Sequence, residues 1–486
     1  MQQKSLKKNA FYSFLKAFAD LLFPLITFPY ASRILSPDGI GKINFSNSIT
    51  AYFAMLAGLG ISTYATREVA KIRENKYEMN KFCKEIITIN FISTVFSYSL
   101  FFLALLFVPK FQNYKLLLLI SSSTILFRTI SMSWFTVAIE DFRFITLRSF
   151  IFQILSLIFL FVFVRDESDF VAYMIFGIIS PIGTNFINFI YAKRFIDFHQ
   201  KCKLDLRKHL KPIFIFFGMA FVTSIYETLD TTMVGILTTD TEVGYYSAAI
   251  KINRMVLALM VAIAGILLPR LSYYAEKQDE EKFKKLVNNS VNMNMLFSIP
   301  CSVGLFLLAS PLIHTFVGNK YIPSINIMKV MTSIIMIISL SNILGAQILP
   351  AVRKEKIAFY SYIAGAFMNI LCNSILIPHF GALGAGIATT IAESSVMLIQ
   401  LIFCIRYVFT PQLLLDIAKN FIQVILASAI MGGGVFVICN VMSENMLLKL
   451  LFSVITGILL YSAALFILRN RIFLTVIVNM KKKHER

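Results

Sequence analysis

The chain has 486 residues, 57% of them hydrophobic and only 15% charged, with a mean hydropathy of +0.73. A soluble domain is ordinarily about 45–50% apolar and about 25% charged, so too little polar surface remains here to coat a soluble globule of this size. A soluble multidomain enzyme, a disordered chain and a nucleic-acid-binding protein are thereby excluded, and the formal charge of +20 reads as lysine and arginine gathered in the loops of a polytopic membrane protein.

A transmembrane helix takes roughly 20 apolar residues to cross about 30 Å of hydrocarbon. Apolar runs separated by polar breaks predict fourteen spans, at 9–34, 40–64, 85–108, 115–137, 145–164, 170–192, 211–236, 243–268, 287–309, 323–349, 357–377, 383–405, 417–440 and 446–468. The runs are continuous, as at 100–108 and 331–340, and lack the period-two alternation of barrel strands. The expected fold class is an all-α integral membrane protein of about fourteen transmembrane helices.

Lys4, Lys7 and Lys8 precede the first run. That run is too long for a signal peptide, holds Lys16 and Asp20, and lacks an Ala-x-Ala site, so it is expected to remain as a first span. Pro24 and Pro29 remove backbone donors from its second half and predict a bend, which makes them hinge candidates. A helix broken in this way is tolerated in lipid only where protein or a hydrated cavity covers the freed groups.

With the N-terminus inside, 34 of the 46 lysines and arginines fall in cytoplasmic segments. Seven lie outside (Arg33, Lys42, Lys110, Lys115, Arg165, Lys320 and Lys449) and five within spans (Lys16, Arg128, Lys251, Arg254 and Lys329). The bias predicts an even number of spans with both termini cytoplasmic.

The chain also echoes itself. Ile34-Leu35-Ser36-Pro37-Asp38 with Ile40-Gly41 follows the first span, and Ile236-Leu237-Thr238-Thr239-Asp240 with Val243-Gly244 follows the seventh, 202 residues later. Both segments have cap chemistry: Ser36-Pro37 suits a helix start, and Thr239-x-x-Glu242 fits a capping box. Their matched place predicts two parallel six-helix halves, 1–205 and 206–410, with two further helices and a basic cytoplasmic tail in 411–486. Within that tail, Ile472, Phe473, Val476, Ile477 and Met480 share one face before three lysines, as in an interfacial amphipathic helix.

Ionisable groups within a span cost at least about 2.5–3.5 kcal/mol each, so each needs a reason. Lys16 and Asp20 stand one turn apart and can neutralise each other. Arg128 is expected near the middle of the fourth span. Glu227 and Asp230 share a face of the seventh span, Lys251 and Arg254 a face of the eighth, and the four could pair across that hairpin. Glu393 lies near the middle of the twelfth. Cations at least equal acids in this set, which suits an anionic ligand such as a phosphate or pyrophosphate head group.

Signals for bond-making chemistry are lacking. The six cysteines are scattered, the five histidines make no pair at metal spacing, and there is no Walker-type lysine loop, so neither a metal nor a cofactor is expected. The glycines at 381, 384 and 386 and at 432–434 are expected to be close-packing or bending sites.

Pro29-Tyr30-x-x-Arg33-x-Leu35, Gly39-Ile40-Gly41, Gly58-Leu59-Gly60-Ile61 and Tyr64-x-x-Arg67-Glu68 resemble the N-terminal signature of bacterial O-antigen and capsule repeat-unit flippases. Ile377-Pro378-x-x-Gly381-x-x-Gly384-x-Gly386 resembles their eleventh-to-twelfth helix turn. The resemblance runs the length of the chain and extends to the superfamily of multidrug, oligosaccharidyl-lipid and polysaccharide exporters. It implies two six-helix bundles around a central cationic cavity. It also implies transfer of undecaprenyl-diphosphate-linked oligosaccharide from the inner to the outer leaflet of a bacterial inner membrane by alternating access, and polysaccharide polymerase and chain-length proteins as partners beside the lipid bilayer. Arg33 matches the motif arginine and is carried over as a head-group contact. The peptidoglycan-precursor flippases use several arginines in their first two helices, where this chain has Lys16 and Asp20 in the first, which argues against that substrate.

The residues expected to draw the head group into a cationic lumen are Lys16, Arg33, Arg128, Lys251 and Arg254. Asp20, Glu227, Asp230 and Glu393 are candidates for ion coupling or counter-charge. The alternatives are a cation-coupled multidrug antiporter of the same superfamily, which would need an acid-dominated cavity, and a non-transporting scaffold that recruits a polymerase.

Overall fold

The structure, a computed structural model, describes residues 6–264, 267–442, 445–475 and 478. Among these residues the regular elements are all helical: α1 Leu6–Ile34, α2 Pro37–Gly58, α3 Ile61–Ile72, α4 Lys76–Phe107, α5 Pro109–Gln112, α6 Lys115–Ile130, α7 Ser133–Ala138, α8 Phe142–Phe163, α9 Phe170–Ala192, α10 Arg207–Leu237 and α11 Asp240–Ala264. There follow α12 Leu267–Glu276, α13 Glu280–Leu312, α14 Ser324–Met331, α15 Ile334–Ser341, α16 Leu349–Ala351, α17 Glu355–Tyr407, α18 Pro411–Val441 and α19 Met446–Ile467.

Helix starts follow cap chemistry. The side-chain oxygens of Ser36, Asn75, Asp141, Asp279, Thr410 and Asn445 accept first-turn N–H groups of α2, α4, α8, α13, α18 and α19, which removes orphan donors that lipid would leave unpaired. Proline at the first helical turn of α2 and α18 adds a pre-set φ without costing a hydrogen bond.

Among the described residues ten helical segments are long and apolar enough to cross a membrane, and this is an all-α multi-pass membrane protein. The fourteen expected spans fall largely on helix among the described residues, with differences in detail. The expected span 40–64 is interrupted between α2 and α3, where Leu59 and Gly60 both take a left-handed φ. The expected span 115–137 is two helices, because Met132 takes a left-handed φ of 45° between α6 and α7. The spans expected at 357–377 and 383–405 are one element, α17, that turns at Gly381 (φ 57°, ψ −136°), a conformation closed to side chains with a Cβ. The run 323–349 includes a wide π segment over Asn342–Ile348. Pro24 and Pro29 both lie inside α1, which continues through them as one helix.

The chain divides into two compact units, Met1–Gly244 and Tyr245–Arg486. In the first, α2 packs on α4, α6 and α10, α8 on α1 and α9, and α3 on α7 and α10. An apolar core there gathers Ile61, Phe82, Ile86, Phe135, Ile196 and Ile213. In the second unit α13 packs on α15 and α18, α18 on α19, and α14 and α15 on α17, around Val287, Leu344, Ile348, Leu349, Cys404 and Val424. Ile472 and Phe473 of the expected interfacial tail helix pack against that core, while Val476, Ile477 and Met480 lie outside the described residues.

The second unit also holds a buried polar knot. Gln400 is fully buried; its Oε1 accepts the Ser341 hydroxyl at 2.8 Å and its Nε2 donates to Ser361 at 2.9 Å. The π segment brings Gly345 so close that a Cβ there would fall on the Gln400 side chain. Gly345→Ala is therefore expected to overpack this knot, at a cost of about 1–3 kcal/mol, and to lower the thermal unfolding temperature of the detergent-solubilised protein. Gly433→Ala, where a Cβ would meet nothing within 4 Å, should leave it unchanged.

Candidate functional site

The echoed segments meet in the first unit. Ser36 Oγ accepts the Gly39 N–H at 3.2 Å and Thr239 Oγ1 accepts the Glu242 N–H at 3.4 Å, so α2 and α11 begin with the same cap. The caps stand 203 residues apart, one more than the preceding echo, and this register pairs Gly41 with Gly244 and Pro37 with Asp240. The contact between them is reciprocal: a Cβ on Gly41 would coincide with the Asp240 carbonyl, and one on Gly244 with the Pro37 carbonyl. Glycine is required at both positions because two helix N-termini approach there backbone to backbone.

Polar side chains surround this contact. Tyr114 donates to Asp240 Oδ1 at 2.6 Å, and Lys42 pairs with Asp38 at 2.7 Å. Lys110 donates to the Gly235 and Ile236 carbonyls, covering acceptors at the C-terminal end of α10. Burial, then the bond to the Asp240 carboxylate, pushes the Tyr114 hydroxyl above its ordinary range and keeps it a donor.

The other end of α10 is held as firmly. Glu85, fully buried on α4, accepts the Asp205 N–H at 2.8 Å, His209 Nε2 at 2.8 Å and Lys208 Nζ at 3.0 Å. His209 Nδ1 lies 2.8 Å from the Tyr64 hydroxyl of α3. A neutral imidazole with the proton on Nε2 satisfies both bonds, accepting from Tyr64 and donating to Glu85. Between its ends α10 touches α2 through Thr232, which donates to Ser48 at 3.0 Å and accepts from Tyr52 at 3.2 Å.

The residues expected from sequence are distributed as follows. Lys16 and Asp20 form the expected ion pair at 2.5 Å, and Asp20 also accepts Gln153 Nε2 at 2.9 Å, tying α1 to α8. Arg33 is exposed in the last turn of α1. Arg128 is not in the middle of a continuous helix: it stands in the last turn of α6, where the helix dipole favours a cation. Its side chain is exposed, with no hydrogen-bond or ion-pair partner among the described residues. Glu227 is exposed and Asp230 buried on α10, in the first unit, whereas Lys251 and Arg254 lie on α11 in the second. Glu393 is buried on α17.

Sequence inspection passed over Glu85, His209, Tyr114 and Lys110 as site residues, since their partners lie more than a hundred positions away. Arg148, the fourth residue of the expected span 145–164, is not among the intramembrane charges expected from sequence; it is buried in α8.

The arrangement is one of helix ends and intramembrane charges, suited to binding and movement. No group of three or more metal-ligating side chains occurs among the described residues. A family model described as polysaccharide biosynthesis protein matches residues 6–275, more than half of the chain. The chain belongs to the polysaccharide biosynthesis protein family.

A MatE model matches residues 215–375 of this family member. A Shigella dysenteriae protein provisionally named an O-antigen transporter is 25% identical over 401 residues, 82% of this chain and 99% of its own. Among solved structures, the lipid II flippase MurJ in an inward closed conformation is similar with a TM-score of 0.72 and 20% identity, over 95% of this chain and 100% of its own. A multidrug resistance MATE family transporter of the MOP superfamily, inward-facing, gives a TM-score of 0.61 at 12% identity, over 82% of this chain and 94% of its own. At these identities the two likenesses are of fold.

The reciprocal glycine contact makes a symmetrical prediction for this family member. Gly41→Val and Gly244→Val should each destabilise the purified protein by at least about 1–3 kcal/mol, and by similar amounts. Gly58→Val, where a Cβ would meet nothing within 4 Å, is the control. A large effect at one glycine alone, read by thermal unfolding, would contradict the pairing.

Proposed function

We propose that the protein is a flippase that moves undecaprenyl-diphosphate-linked oligosaccharide repeat units from the cytoplasmic to the periplasmic leaflet of a bacterial inner membrane. The match to the polysaccharide biosynthesis family over 6–275 carries this reading, and the Shigella dysenteriae relative's name fits it. Lys16, Arg33, Arg128, Lys251 and Arg254 supply the cations that attract the diphosphate, and a basic side chain donating to phosphoryl oxygens makes the stronger, charge-assisted kind of hydrogen bond. Asp20, Glu227, Asp230 and Glu393 balance those charges or couple the cycle to an ion. Both termini are cytoplasmic, as the excess of lysine and arginine on one side requires. The repeat at 34–41 and 236–244 supports halves at 1–205 and 206–410 with an appended 411–486, working by alternating access with Pro24 and Pro29 as a hinge in α1. Polysaccharide polymerase and chain-length proteins are the expected partners.

In this cycle α10 is the helix to watch. It is bound to the first unit at its start by Glu85 and His209 and at its end by Lys110, so a change of state that moves it must break polar contacts at both ends.

A strain lacking the gene should accumulate lipid-linked oligosaccharide in the cytoplasmic leaflet and lose surface polysaccharide. The intact gene should restore both. Arg128→Ala should restore surface polymer about tenfold less well at equal expression, the loss expected when one contact worth about 1.4 kcal/mol is removed. Full restoration by Arg128→Ala would remove that residue from the lumen, and unchanged polysaccharide in the deletion strain would overturn the reading.

The second reading, a cation-coupled multidrug antiporter, draws on the fold likeness to a multidrug MATE transporter and on the MatE match. It predicts a deletion strain with normal polysaccharide and new sensitivity to cationic dyes.

A further inference from the structure

Helices α8 and α9 pack side by side, and two contacts fix their register. Phe144 stacks on Tyr191 with ring centroids 3.8 Å apart, and Tyr191 donates to Asp141 Oδ2 at 2.6 Å. Two turns further along, a Cβ on Gly183 would land on the Phe152 ring. Residue 144 thus faces 191 and residue 152 faces 183, so the helices run antiparallel. The layer between these contacts is occupied by Arg148, one turn beyond Phe144, and Asn188, one turn before Tyr191.

Both side chains are buried, Arg148 to 9% exposure and Asn188 to 1%. Neither Nε nor Nη1 of Arg148 has a hydrogen-bond partner, and neither has either carboxamide atom of Asn188. Among the described residues Arg148 makes no ion pair; its guanidinium sits 5.5 Å from the Phe144 ring centroid. The contacts on either side of this layer are made by Phe144, Tyr191 and Asp141 at one end and by Phe152 and Gly183 at the other. A leucine in either place would fill the layer without leaving polar atoms unmatched, whereas buried polar groups in folded proteins nearly always have partners.

A guanidinium and a carboxamide in one layer, the guanidinium without an ion pair among the described residues, are complementary to an oxyanion. The guanidinium presents a planar fork of donors that fits two phosphoryl oxygens. Asn188 adds an N–H donor, and its carbonyl can accept a hydroxyl proton. We infer that Arg148 and Asn188 form an internal binding site for a phosphoryl group in the first unit, separate from the five cations named from the sequence. The inference deepens the proposed function and rests on it for the source of the phosphoryl group, a lipid-linked diphosphate; the binding chemistry itself is shared with free pyrophosphate.

The test uses the full-length protein in nanodiscs and inorganic pyrophosphate as the probe. Trp134, the chain's single tryptophan, sits on α7, which packs against α8 and α9, and its fluorescence reports on this region; calorimetry gives a second readout. Wild type should bind saturably, Arg148→Gln and Asn188→Leu at least tenfold more weakly, and Arg148→Lys, which keeps the charge and loses the fork, in between. Both Arg148→Gln and Asn188→Leu should melt at or above the wild-type temperature, because each removes unmatched buried groups. Equal affinity in wild type and variants, no binding by either readout, or weaker binding accompanied by a lower melting temperature would each overturn the site.

Competition by undecaprenyl diphosphate placed in the nanodisc assigns the phosphoryl group to a lipid head group; saturable pyrophosphate binding that this lipid does not displace assigns it to a soluble phosphate. Arg148-dependent binding in a protein whose deletion leaves surface polysaccharide intact would uphold the site while overturning the flippase. A working flippase with Arg148-independent binding would do the reverse.

Discussion

Hydrocarbon offers no hydrogen bonds, so every backbone N–H and C=O in a span must be paired within the protein. That constraint accounts for the helical architecture and for where departures from it occur. The α6–α7 break turns on left-handed Met132, and α17 turns at Gly381, where no Cβ opposes a positive φ. The helix starts carry side-chain caps that pair first-turn N–H groups. Some polar side chains follow the rule as well: Gln400 bonds to Ser341 and Ser361, and Asn470 to Asn420 and Gln423.

Two kinds of attachment hold α10 to the first unit, and they differ in what they require. At its Leu237 end, just before α11 begins, the repeated caps bring backbone against backbone, and the fit depends on having nothing at Gly41 and Gly244. At its Arg207 end the fit depends on charge: a buried carboxylate, Glu85, is stable there because a backbone N–H, a histidine and a lysine all donate to it. Removing one donor would leave an under-satisfied buried anion, whereas adding one methyl group would suffice at the glycine end. This helix is thus fixed at its two ends through contacts that are specific in geometry. Arg148 and Asn188 break the pattern, since their hydrogen-bonding capacity is unused by the protein.

Much of this was legible in the amino-acid sequence, for physical reasons. Hydropathy located the long helical stretches, because burial in lipid demands length and apolarity, and both are local properties; the short helix α5 and most of α3 and α12 lie outside the expected spans. The echo at 34–41 and 236–244 was visible because a cap needs particular residue types at fixed spacing. The Lys16–Asp20 pair was visible because a helix brings i and i+4 together. What the sequence by itself determined was therefore the fold class, the two repeated helix starts at Ser36 and Thr239, and the pair one turn apart.

Tertiary structure alone decided the rest. That Gly41 meets Asp240, that Glu85 meets His209, and that Arg148 and Asn188 share a layer are facts about residues forty to two hundred positions apart. Nothing in the local pattern distinguishes Arg148 from a loop arginine next to the membrane; its burial comes from the helices packed around it. Arg128 shows the converse: hydropathy placed it mid-span, and only the backbone turn at Met132 put it at a helix end. Helix formation depends on neighbours in sequence, but the partners of a buried charge are chosen by packing, and packing depends on the whole fold.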